Sequence, residues 1–173
     1  MVDVNIGNSK TWRFWHSTYT FIIINIYVQL SYNNLQMKPQ ILRLTNSLLA
    51  LSFLFFLQVS EKNIWEIILG VFLIITIIVS QLFWANPVRY STIHKIDGIV
   101  AKISLGLFIG YVTLYKKIDS SLFYAFLLLI IWMIFFFLLS DFNSRKEWCC
   151  NKHILYHGMS HIFCFAGSLF AFM

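Results

Sequence analysis

Apolar residues arrive in long runs separated by short polar breaks, and the runs are about as long as a bilayer is thick. A helix needs about 20 apolar residues to cross the hydrocarbon core. Six stretches reach or approach that length: residues 14–32, 41–59, 64–84, 93–115, 122–139 and 153–172. The third and fifth are almost pure hydrocarbon. The first is interrupted by His16, Asn25 and Gln29, and the fourth by His94, Lys95, Asp97, Lys102 and Ser104. Backbone polar groups must pair within lipid, so each run is expected as a helix. The breaks carry capping and turn signals. Asn86-Pro87 ends the third run, because the residue before proline is pushed out of the α region. Ser91 or Thr92 is placed to cap the fourth, and Asp119 or Ser120 the fifth. The expected fold is an all-α, polytopic transmembrane bundle of about six spans, forming a single domain over residues 1–173.

Composition agrees with this reading. The chain has 173 residues, 59% of them hydrophobic and 12% charged, and a core of soluble type has no room for such runs. The net charge of +6 is spread over short loops, which points to headgroup contact and orientation and away from nucleic acid. With six spans, Lys38, Arg43, Arg89, Lys95, Arg145, Lys146 and Lys152 face one side. Lys10, Arg13, Lys62, Lys116 and Lys117 face the other. The larger set is expected to be cytoplasmic. The N-terminal stretch lacks a compact signal-peptide pattern, so its first apolar run is expected to be a retained anchor. Three cysteines make no disulfide framework. The adjacent Cys149 and Cys150 are either incidental small residues or juxtamembrane palmitoylation sites.

The polar residues inside the runs carry the candidate chemistry. His153, His157 and His161 recur every fourth position of the last run, and four residues advance a helix by about 400°, so the imidazoles share one face. Ionisable groups are costly in a bilayer and are rarely there without a role. In an up-down bundle the end of the third span and the starts of the fourth and sixth meet the same leaflet. Ser80, His94, Asp97, His153 and His157 are then at similar depth. Two histidines one turn apart and a third from a neighbouring helix would form a three-ligand zinc site with an open position: His153, His157 and His94. Asp97 would serve as a base or orient the metal's water, with Ser80 beside it. Asp97 is the fallback third ligand.

Three short motifs resemble those of the CREST superfamily, which includes alkaline ceramidases and progestin and adiponectin receptors. Ser80-Gln-Leu-Phe-Trp84 is similar to its Ser-x3-His element, with Trp84 where the family has histidine. Asp97 followed by Ala101 is similar to the second element, and His153-Ile-Leu-Tyr-His157 to the third. The resemblance implies a seven-span fold, zinc held by three histidines, and hydrolysis or binding of a lipid. The first expectation is thus a zinc-dependent intramembrane hydrolase of lipid amides or esters, with Asp97 and Ser80 catalytic and membrane lipids as partners. A non-catalytic relative of the same fold is the second, with Trp84 marking lost chemistry. A haem- or proton-handling protein using the same histidines is the third.

Overall fold

A computed structural model describes residues 37–173 of the chain; the expected first span, residues 14–32, lies outside the described residues. The described residues fold into five helices: α1 (Gln40–Val59), α2 (Ile64–Ala85), α3 (Thr92–Leu114), α4 (Ser120–Lys146) and α5 (Asn151–Phe172). No strand occurs among them. All five are long and apolar enough to cross a membrane, as in a multi-pass membrane protein. Their bounds fall within two residues of the expected ones except in α4. That helix runs seven residues past its hydrocarbon stretch, because the segment Asp141–Lys146 is itself a good helix end. Arg145 pairs with Asp141 at 2.7 Å one turn apart, and basic residues suit the helix C-terminus. At 1.5 Å per residue, α4 is about 40 Å long, some 10 Å more than a bilayer core.

The loops entering α2, α3 and α5 share one local design. Lys62, Tyr90 and Cys149 each take a left-handed conformation, with φ of 55°, 64° and 58°. Such a residue costs roughly 1–2 kcal/mol when it carries a side chain. Each is followed by the N-cap: Asn63, Ser91 and Cys150. The cap side chains accept the backbone N–H three residues on, from Glu66 at 3.0 Å, His94 at 3.3 Å and His153 at 3.4 Å. A Ser, Thr, Asp or Asn cap contributes about 1 kcal/mol, which offsets the strained residue before it.

Helix α5 packs against α4 and α1 and touches α3, while α2 lies between α1 and α3. The α3 and α4 backbones, consecutive in the chain, stay apart. Gly158 lies on the face of α5 turned to α1, where a Cβ would make ordinary contact with the Thr45 methyl at 3.5 Å. In α4 only Phe126, Met133, Ser140 and Ser144 are buried. Their spacing of seven, seven and four traces one seam, and much of the rest of that helix presents hydrocarbon outwards. The starts of α1 and α5 are tied where the Met37 N–H donates to Asn151 Oδ1 at 2.7 Å. The loops before α3 and α5 are tied by Trp148 Nε1–H donating to Pro87 O at 3.0 Å. At the opposite end, Glu66 is fully buried and accepts from Ser60 at 2.6 Å, Tyr111 at 3.0 Å and Lys116 at 2.9 Å. Lys116 also donates to Ala171 O at 3.2 Å, so one carboxylate joins α2, α3 and the end of α5.

Candidate functional site

A cavity of about 380 Å³ lies within the bundle, and Ser80, His94, Asp97, His153 and His157 all line it. The helix ends bring them there as the spacing requires. Ser80 and Trp84 come from the last turns of α2, His94 and Asp97 from the first turns of α3, and His153 and His157 from the first turns of α5. Ser80 and Asp97 come from adjoining helices to the same cavity. His161 lines the cavity one turn deeper, and the ring centres descend α5 at 5.9 Å and then 4.8 Å apart. His153 is buried, and His157 and His161 are half-buried. The lower wall is mostly apolar, with Phe108 of α3 and Phe126, Leu129, Ile130 and Met133 of α4, beside the polar Asn46, Thr76, Ser104 and Ser160.

The cavity ends blindly. Phe172 stands 5.0 Å from Phe56 and 5.6 Å from Phe108, ring centre to ring centre, and all three are buried. This aromatic plug lies between the cavity and the Glu66–Lys116 pair.

The histidines differ in what their rings offer. Tyr90 N–H donates to His94 Nδ1 at 3.0 Å, and Cys149 N–H donates to His153 Nδ1 at 3.1 Å. A nitrogen that accepts carries no proton, so in both neutral rings the hydrogen is on Nε2. Both donors are the left-handed residues described above. These histidines therefore complete a helix cap and are fixed as Nε2–H donors. His161 is the reverse case. Thr45 donates to Leu42 O at 3.2 Å, and its oxygen stands 2.9 Å from His161 Nδ1. Satisfying both contacts puts the proton on Nδ1 and leaves a lone pair on Nε2. His157 Nδ1 meets the Ser140 hydroxyl at 3.2 Å.

This arrangement does not fit zinc. A zinc-bound histidine offers a bare nitrogen to the metal and donates its other N–H to an oxygen. His94 and His153 present N–H where the lone pair is needed. Trp84, 1% exposed, fills the space beside the pair, 5.0 Å from the His157 ring and 6.1 Å from that of His153. His94 is held aside, stacked on Phe83 at 4.8 Å. Among the described residues no group of three or more His, Cys, Asp or Glu side chains is arranged to hold a metal ion. Outside the spans, burial pushes the Cys149 thiol above its ordinary range, and the neighbouring Cys150 adds to the shift.

Sequence reasoning placed the five residues at one depth but missed three features. It gave Trp148 a place at the membrane interface but no role at the histidines, and the ring lies 5.0 Å from His94 and 4.9 Å from His153. It gave none to Ser140 or Thr45 as partners of the deeper histidines. The repeat of a polar N-cap with histidine three residues later, Ser91-Thr-Ile-His94 and Cys150-Asn-Lys-His153, was the available signal. Comparison with family models, curated proteins and solved structures gave no match.

Proposed function

We propose that this chain is a multi-pass membrane protein that holds the head of a lipid-like amphiphile in a blind intramembrane chamber. The observation that carries the reading is the division of the cavity lining. Ser80, His94, Asp97, His153 and His157 gather towards the membrane-surface end, and the wall beyond them is mostly hydrocarbon towards the phenylalanine plug, interrupted by Asn46, Thr76, Ser104, Ser160 and His161. A few convergent polar groups in an otherwise apolar cavity of a few hundred cubic ångströms are the usual form of a small-molecule site. The plug and the satisfied ion pair behind it disfavour passage of protons or solutes through the bundle. The separation of α3 from α4 gives an acyl chain a lateral way in.

Binding without zinc chemistry is the better-supported form, on the strength of the two cap-fixed histidines and Trp84. The presence of Ser80 and Asp97 in one cavity favours a second reading, hydrolysis of a lipid amide or ester with Asp97 as the base for water. Native mass spectrometry of the purified full chain tests the binding. Gly98 lines the cavity, and a Cβ built there meets nothing within 4 Å. Gly98→Phe should fill the chamber and abolish the lipid adduct while the melting temperature holds. An adduct equally abundant in the variant overturns the reading. Release of a fatty acid or amine by the parent and not by Asp97→Asn would establish the hydrolytic form.

A further inference from the structure

We infer that the mouth of the chamber, between His94, His153 and Arg89, is a binding site for a phosphate oxyanion. The inference rests on the chamber reading for the part of the ligand that carries a chain. Its own basis is the donor set. His94 and His153 have Nδ1 occupied by backbone N–H groups, so each can offer only an N–H to the cavity that it lines. Neither Nε2 meets an acceptor among the described residues. Two fixed N–H donors on neighbouring helices select an acceptor, and a multi-oxygen anion can take both.

Arg89 supplies the charge. It is half-buried in the loop before α3, with its guanidinium 5.8 Å from the centre of the Trp148 ring. Trp148 is the ring that both histidines touch, so it links the two donors to the cation, which also lies 4.7 Å over the Tyr90 ring at the edge of the cavity. Among the described residues Arg89 has no carboxylate partner. Its planar fork suits phosphate. Charge at the two membrane surfaces points the same way. At the mouth end Lys38, Arg43, Arg89, Lys95, Arg145, Lys146 and Lys152 face Asp97, Asp141 and Glu147. Among the described residues at the plug end, Lys62, Lys116 and Lys117 are matched by Glu61, Glu66 and Asp119. Asp97 lines the same cavity and opposes the anion from one side. The His161 lone pair lies deeper and suits a hydroxyl or N–H further along the same ligand.

The test compares three lipids with identical acyl chains, phosphatidate, phosphatidylcholine and diacylglycerol, binding to the full chain in detergent, with inorganic phosphate as competitor. Phosphatidate should bind about tenfold more tightly than diacylglycerol, as a charge-assisted contact requires. Arg89→Gln, a loop change that leaves both caps intact, should remove most of that preference. Displacement of phosphatidate by millimolar inorganic phosphate would assign the site to soluble phosphate compounds. No displacement would assign it to the lipid headgroup. Equal binding of all three lipids, blocked by Gly98→Phe, overturns the phosphate site and leaves the chamber standing. No binding of any lipid overturns both.

Discussion

Lys116→Met isolates the charge that holds the plug end of the bundle together. The Lys116 ammonium lies 2.9 Å from Glu66, which is fully buried, and 3.2 Å from the carbonyl of Ala171. Methionine keeps most of the apolar stem and removes the cation. Taking one partner from a buried pair costs about 3–5 kcal/mol, because the other charge stays behind without compensation. Ser60 and Tyr111 still donate to the carboxylate, and Lys116 keeps 13% of its side-chain surface. The lower end, about 3 kcal/mol, is therefore expected. For a chain of this size that lowers the melting temperature by about 6–12 °C. The assay is loss of the monodisperse peak on size-exclusion chromatography after heating in detergent. Glu66→Gln combined with Lys116→Met should recover more than half of the loss, since no unpaired charge remains. A single variant as stable as the parent, or a double variant no better than the single, would refute the reasoning.

Gly70→Ala should destabilise the bundle by about 1–3 kcal/mol, because its Cβ would stand 2.9 Å from the Phe56 ring of the plug. Gly106→Ala meets nothing within 4 Å and should instead stabilise by up to about 1 kcal/mol through helix propensity; both are read from thermal unfolding in one detergent. Cys149, as the sole cysteine in a Cys150→Ser, Cys164→Ser background, should alkylate slowly at neutral pH. Burial raises its pKa, so the thiolate is scarce until the pH exceeds the ordinary thiol value, and an iodoacetamide rate profile with its midpoint at or below that value would count against the burial.

The helices could be read from the sequence because hydrocarbon run length is a one-dimensional signal. The α4 extension escaped because Asp141 to Lys146 is polar, and polar helix beyond the bilayer leaves no hydropathy trace. Nothing local marks Glu66, in the first turn of α2, as buried. Its burial depends on Tyr111 and Lys116, some 45 to 50 residues away, although Lys116 could already be placed on the same side. At the site, depth was readable and ring orientation was not. Spacing brings Ser80, His94, Asp97, His153 and His157 to one level, and all five do line one cavity. Which nitrogen each histidine offers depends on the left-handed Tyr90 and Cys149. Neither residue type announces that conformation, since glycine or asparagine is the usual marker.

The central claim, that an amphiphile lies inside the bundle, is tested most directly on α4. Two of its faces cross the membrane at the same depths. Phe126, Leu129, Ile130 and Met133 line the cavity, while Leu128, Ile131, Phe135 and Leu138 are exposed on the outer surface. A lipid with a photoreactive group in its acyl chain, activated in bilayers containing the full chain and mapped by peptide mass spectrometry, separates the two. The account predicts saturable adducts on the inner four residues that vanish in Gly98→Phe. Adducts confined to the outer four, rising linearly with lipid and unchanged in the variant, would contradict it.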